Sequence, residues 1–266
     1  MRMVNGRCLT VLCALAMSSG AAFGQNLLDS DPNSPTYNNP SFESPDIPFA
    51  LNVMDKWKRE GPGIFNPDNP AQTEPDLLGI GVFDNPPDES GGHLQDADGA
   101  QVAYIFSHSL PQGFPQTLTG TPIDHAVSQV LTNLTYGSGN YYQLKIGFAN
   151  ATSVASTVST LTYSLFATTD PNATNGTELV SDTIKSNELN QIELQDFSIV
   201  TPQVAGAVDG QFIGIRISTH TEAADMFNSP GQFDFDNVRL TIVPEPSTAA
   251  LLVTGALGLL TARRRR

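Results

Sequence analysis

Tyr141-Tyr142-Gln143-Leu144-Lys145-Ile146-Gly147-Phe148-Ala149 sorts its side chains into two sets: Tyr142, Leu144, Ile146 and Phe148 against Tyr141, Gln143, Lys145 and Gly147. A period of two sends successive side chains to opposite faces of an extended chain, so the stretch reads as a strand with one apolar face. The same period returns in Leu161-Tyr163-Leu165 and Ile213-Ile215-Ile217, with Thr162, Ser164, Gly214 and Arg216 between them. Runs rich in β-branched and aromatic residues at 101–106, 126–134, 177–184, 191–200 and 233–242 are separated by Gly, Asn, Pro and Ser clusters. Outside the two terminal segments no helical period stands out. The expected fold is therefore all-β, an antiparallel sandwich being the most economical closure.

Residues 25 to 100 differ. Asp31-Pro32, Asn39-Pro40, Asn66-Pro67, Asn69-Pro70 and Pro86-Pro87 mark turns or extended chain, and long irregular loops are expected there.

The termini carry their own pattern. Arg2 and Arg7 precede the apolar run Leu9 to Met17 and the small-residue stretch Ser18 to Gly24, the order of a secretory signal helix with cleavage expected after Gly24. Both cysteines, Cys8 and Cys13, fall inside that segment, so the exported chain would have neither disulfides nor thiolate chemistry. At the other end Val243-Pro244-Glu245-Pro246 leads into an apolar stretch, Ala249 to Ala262, and then Arg263-Arg264-Arg265-Arg266. An apolar helix followed by arginines reads as a stop-transfer transmembrane segment with its basic end in the cytoplasm and the large domain outside. The expected organisation is a signal peptide at 1–24, one β-sandwich domain at 25–242 and a sorting segment at 243–266.

Motif, helix and arginine cluster together resemble the PEP-CTERM family of bacterial sorting signals, whose tail is also labelled an ice-binding C-terminal motif. Nothing in these residues presents an ice-matching surface. The resemblance implies recognition of the Val243–Pro246 box by a membrane transpeptidase, an exosortase, in a setting associated with exopolysaccharide. It implies a protein exported to the cell envelope, anchored in the membrane or released after cleavage. A plain tail anchor without processing is the alternative.

Of the chain's 13 basic and 27 acidic residues, the terminal segments hold six arginines and Glu245, leaving 7 against 26 in the domain. That balance excludes nucleic acid and anionic lipid surfaces as partners, since both need basic patches. It suits a solvated extracellular protein or one that collects divalent cations.

Three further pieces, Asn39-Pro40-Ser41-Phe42-Glu43, Asp98-Gly99-Ala100-Gln101-Val102-Ala103 and Phe235-Asp236-Asn237-Val238-Arg239-Leu240, resemble the galactose-binding-like jelly rolls of carbohydrate-binding modules. The resemblance implies that a first strand around Phe42 lies beside the last strand. It also implies a structural Ca²⁺ held by Glu43 and Asp236 with backbone carbonyls, and hard oxygen ligands are what Ca²⁺ requires. Read from the residues alone, Phe233 and Phe235 share one face of the last strand and Asp234 and Asp236 the other, which avoids burying a carboxylate pair. Both aspartates being merely solvated is the alternative to the metal. Asp96-x-Asp98-Gly99 lacks the remaining ligands of a calcium loop and reads as a turn before a strand.

For sugar stacking the candidates are the single Trp57 and Tyr141, and Trp57 has a second reading as a loop aromatic packed on the sandwich. His93, His108, His125 and His220 show no zinc spacing. Asp124-His125 with a serine makes a triad only on paper, with no nucleophile elbow. These features predict a binding or matrix module that is not an enzyme and requires no cofactor. The alternatives are a secreted polysaccharide or ester hydrolase and a purely structural envelope protein.

Overall fold

The computed structural model describes residues 24–46, 48–51, 54–61, 80–87, 93–106, 123–150, 159–221 and 232–243. The segments expected to form the signal helix and the transmembrane helix, with Pro244, Glu245, Pro246 and the four arginines Arg263–Arg266, lie outside the described residues. Among the described residues no helix is long and apolar enough to cross a membrane.

Among the described residues eleven strands follow in chain order: β1 (Phe49–Leu51), β2 (Lys58–Glu60), β3 (Ile80–Asp84), β4 (Gln101–Phe106), β5 (Ile123–Thr135), β6 (Tyr141–Ala149), β7 (Ser159–Thr168), β8 (Thr177–Lys185), β9 (Gln195–Val200), β10 (Phe212–Thr221) and β11 (Gln232–Val243). They form two sheets, ordered β1-β3-β4-β11-β6-β9 and β2-β5-β10-β7-β8. Every pairing between these strands is antiparallel. The architecture is thus the expected all-β, two-sheet antiparallel sandwich.

Alternation explains why these segments face one another. Tyr142, Leu144, Ile146 and Phe148 are all buried. On the facing sheet Ile213, Ile215 and Ile217 of β10 stand beside Ala167, Leu165 and Tyr163 of β7, and all six are buried. The two layers meet where Phe148 of β6 lies 5.4 Å from Tyr163 of β7, and within its own sheet Phe148 lies 6.3 Å from Phe235 of β11. Each large apolar side chain so placed contributes about 1.5–3 kcal/mol of burial.

The region before residue 101 departs from expectation, for it holds β1, β2 and β3. Two of these are only three residues long, and Lys58-Arg59-Glu60 has no apolar member to betray it. Its place on β5 is secured from outside, by an ion pair of 2.6 Å from Glu60 to Arg216 of β10.

Residues 39–43 are not a strand. Asn39 and Phe42 take left-handed φ values of 51° and 55°, which no extended chain can hold. The implied neighbourhood is nevertheless there: the Val238 amide donates to the Pro40 carbonyl at 3.0 Å. Phe42 meets Phe235 edge-on at 5.1 Å.

Candidate functional site

β11 carries Phe233 and Phe235 inward, and Asp234 and Asp236 therefore point to the outer face of their sheet. The expectation that this leaves the two carboxylates in water is corrected: both are 0 % exposed. The cause is a second layer over the outer face. Residues 93–100 and 189–194 cross it and clasp each other, the Gln95 amide donating to the Ile192 carbonyl at 2.7 Å and the Leu194 amide to the Gln95 carbonyl at 3.0 Å. Beneath the clasp, Leu94, Val102, Ala149 and Leu194 form a small apolar cluster of their own.

The carboxylates hold this cover down. Asp236 Oδ2 accepts the Asp98 amide at 2.7 Å, and Glu43 Oε1 accepts the Gln101 amide at 2.8 Å. Asp98 Oδ2 in turn accepts the Ser41 hydroxyl at 2.9 Å. Gly99 lies between these anchors with φ 106°, and a Cβ there would sit 2.4 Å from Glu43 Oε1. Asp96-x-Asp98-Gly99 is accordingly the turn that leads into β4.

The electrostatics are tense. Burial pushes the Asp236 carboxyl well above the usual carboxylate range, and the nearby Asp98 and Glu43 push the same way. Amides of Asp98 and Asn237 oppose that only in part. Asp236 Oδ1 is buried with no hydrogen-bond partner.

Beside this group opens a cleft of about 770 Å³, lined among others by Asp96, Asp98, Glu193, Asp196 and Asn237, with Gly147 on the β6 side. A side chain at position 147 would press on Leu194 at 3.2 Å. Asn237, at φ 56°, marks the bulge where β11 slips register against β6. Asp196 is committed to Lys145 and Arg239. Burial alone would raise its carboxyl, but hydrogen bonds from those two cations outweigh it and hold the group below its ordinary value. Asp96, Asp98 and Glu193 remain as exposed acids around the opening.

An orphaned buried carboxylate oxygen beside two further carboxylates is a setting that a hard cation would relieve. Among the described residues no three His, Cys, Asp or Glu side chains gather as a metal cage. A Ca²⁺ there would rest on Glu43 and Asp236 together with backbone carbonyls and water.

Of the other residues singled out from sequence, Trp57 is 5 % exposed. Its indole N–H donates to the Asn39 carbonyl at 3.2 Å, and its ring packs 5.2 Å from Phe42. It belongs to the core and offers no face for stacking. Tyr141 is half-buried at the start of β6, opposite Val243, the last residue of β11. Asp124 pairs at 2.5 Å with His220 across the sheet, not with its neighbour His125, which is fully buried. The sequence reading placed 191–194 in a strand candidate running to residue 200, but only Gln195–Val200 form β9, and so it missed Glu193 and the 189–194 cover.

A family model described as HpiC1-like, HpiC1 cyclase, matches residues 33–241. No curated protein matches the chain. Among solved structures it is similar to the Stig cyclase Fisc from Fischerella sp. TAU, crystallised with (3Z)-3-(1-methyl-2-pyrrolidinylidene)-3H-indole: 20 % identity over 77 % of this chain and 95 % of that one, TM-score 0.49. It is also similar to the carbohydrate-binding module TmCBM61 in complex with β-1,4-galactotriose, at 12 % identity over 77 % and 96 % of the two chains, TM-score 0.41. A CBM4 structure matches at 12 % identity, over 77 % and 98 %, with TM-score 0.36.

Proposed function

The chain belongs to the HpiC1-like cyclase family, and from that premise we propose that it is an exported, ring-closing enzyme whose chemistry takes place in the acidic cleft over β11. The expectation of a non-enzymatic module is thereby corrected. Ring closure by proton transfer asks only for carboxyl groups and a shaped cleft, and neither leaves a spacing motif of the kind that marks a nucleophile elbow or a zinc site.

The observation that carries the proposal is the cleft itself, with Asp96 on one covering loop and Glu193 on the other. One carboxyl gives a proton to an unsaturated group of the substrate and creates an electrophilic centre. An internal nucleophile of the same molecule closes the ring, and the second carboxyl takes up the proton released. Substrate and product then have the same composition. Asp236, Glu43 and Asp98 play a positioning role: they fasten the Asp96-bearing loop to β11 and to the N-terminal segment. A Ca²⁺ on Glu43 and Asp236 would neutralise their charges and leave the chemistry to the exposed acids.

Because such a closure conserves mass, the test is chromatographic. Purified protein is incubated with small-molecule extract of the producing cells and followed by liquid chromatography with mass detection. The expected result is a product of unchanged mass and altered retention, lost in the double variant Asp96→Asn/Glu193→Gln while the melting temperature holds. Turnover unaffected by that variant, or no isobaric product, would overturn the assignment.

The same proposal includes export through the segment 1–24, recognition of Val243-Pro244-Glu245-Pro246 by an exosortase-type transpeptidase, and residence at the envelope or in an exopolysaccharide matrix. The support is the terminal motif alone. Intact mass of the protein from envelope and medium, with and without the exosortase, decides it. A body starting near Gln25 and ending near the Pro244–Pro246 box only when the exosortase is present is expected, and a full tail in both strains would sink it.

A further inference from the structure

β11 ends at Val243, which still pairs with Tyr141 of β6, and Pro244-Glu245-Pro246 follows at once. The last strand thus leads into the sorting segment without a linker. Residues 244–248 alone separate it from the apolar stretch that begins at Ala249. Fully extended, that connection spans at most about 20 Å, and a lipid headgroup layer takes up about 5–7 Å of it. A domain of this length measures about 45 Å across. With the apolar stretch in a membrane, the end of the sandwich that carries Val243 is therefore held beside the lipid.

The strand pairing identifies that end. β5 and β7 finish there and β10 starts there, since Phe212 stands opposite both Thr135 and Thr168. β6 begins there and β9 finishes there, the Thr201 amide donating to the Tyr142 carbonyl at 2.9 Å. Two connections between the sheets, 136–140 and 201–211, close it and are zipped into one platform. The Gly139 amide donates to the Val204 carbonyl at 3.0 Å, the Val204 amide to the Asn140 carbonyl at 2.9 Å and the Gly210 amide to the Tyr136 carbonyl at 2.8 Å.

The platform is unlike the rest of an acidic domain. Residues 136–141 and 200–211 hold one charged side chain, Asp209, whose Oδ1 accepts the Ser138 amide at 2.7 Å. The β7–β8 turn at the same end adds Asp170. Ser138, Val200, Pro202, Gln203, Ala205 and Ala207 face solvent. Val200 is 43 % exposed, and Ile192 is the other exposed large apolar side chain among the described residues. The half-buried Tyr141 adds a ring of the kind that settles at a lipid–water boundary. Anionic lipid repels the acid-rich faces of the domain and spares this one.

We propose that, while the tail is in the membrane, this platform docks on the lipid headgroups and holds the acidic cleft away from them. The proposal rests on the reading of 249–266 as a membrane anchor. The tail supplies the affinity, because the platform exposes little apolar area and no basic side chain, and the platform sets the orientation. Asn237, at the cleft, precedes Val243 by six residues, about 20 Å along β11. The cleft therefore opens clear of the headgroups, toward the side from which an external substrate arrives.

The chain from Gln25 onward contains no cysteine, so a single introduced thiol can carry an environment-sensitive fluorophore. Ser138→Cys and Ala207→Cys place it on the platform, and Asn187→Cys places it in the exposed turn after β8, about 25 Å along that strand from the platform. Each variant, with its tail intact, is reconstituted into vesicles of phosphatidylcholine and phosphatidylglycerol that contain a lipid with a nitroxide on its headgroup. Flotation of the vesicles reads anchoring, and quenching reads docking. The labels at 138 and 207 are expected to lose most of their emission while the label at 187 keeps it. Protein left behind when the vesicles float would bring down the anchor reading and the docking with it. Protein that floats with labels at 138 and 207 no more quenched than the one at 187 would overturn the docking alone.

Discussion

Gly99 shows how much of the site rests on single atoms. Its φ of 106° is one that side-chain-bearing residues rarely adopt, and the missing Cβ is the space that Glu43 Oε1 uses to reach the Gln101 amide. Gly99→Ala is therefore expected to lose about 1–3 kcal/mol, from backbone strain and displacement of Glu43 together. Urea denaturation measures it, and a stability equal to wild type would mean that the loop rearranges freely. Asp234 and Asp236 teach a related lesson. Their alternation with Phe233 and Phe235 was legible in the chain and correct, yet their burial was not. A strand's period tells which residues share a face and says nothing about what lies over it.

At the level of elements, the six-stranded sheet is tied on its outer face where Asp196 of β9 receives both Lys145 of β6 and Arg239 of β11. The carboxyl of Asp196 is held below its ordinary value of 3.8. A depressed carboxylate stabilises the fold above the unfolded value, and that stability is lost as the pH falls through the folded one. The partners are partly exposed, so solvent screens the network and its contribution is expected to stay within about 1 kcal/mol. Asp196→Asn should thus lower the urea midpoint at pH near 7 and leave it unchanged in acid below the folded value; an equal loss at both ends would show that packing, not charge, is at stake. Strands such as β6 and β10 were readable because large apolar residues alternate along them, Tyr142, Leu144, Ile146 and Phe148 in β6 and Ile213, Ile215 and Ile217 in β10. β1 and β2, at three residues each, are too short to show any period. They are strands only because β3 and β5 offer them an edge.

For the molecule as a whole, the N-terminal segment, the 93–101 loop and β11 are joined through Glu43, Asp98 and Asp236, so a cation bound there would stabilise all three at once. Melting temperature is expected to rise with added Ca²⁺ over a chelated sample, by an amount that grows as the logarithm of free Ca²⁺ once the site is saturated. Glu43→Gln and Asp236→Asn should each abolish the dependence, and a melting temperature indifferent to millimolar Ca²⁺ would remove the metal from the description. By itself the amino-acid sequence determined that the chain is built of strands in two apolar-faced layers, since a period of two leaves no other economical way to bury one side of each segment. It also determined the acidic charge, and a family resemblance in it singled out Glu43 and Asp236, while Asp98 read only as part of a turn. Only the tertiary structure decided that those three carboxyls anchor one loop, that Trp57 fills the core, and that a clasp of two distant segments turns the polar face of β11 into a cleft. Such contacts join positions many residues apart, and no local spacing records which stretch will come to cover which face.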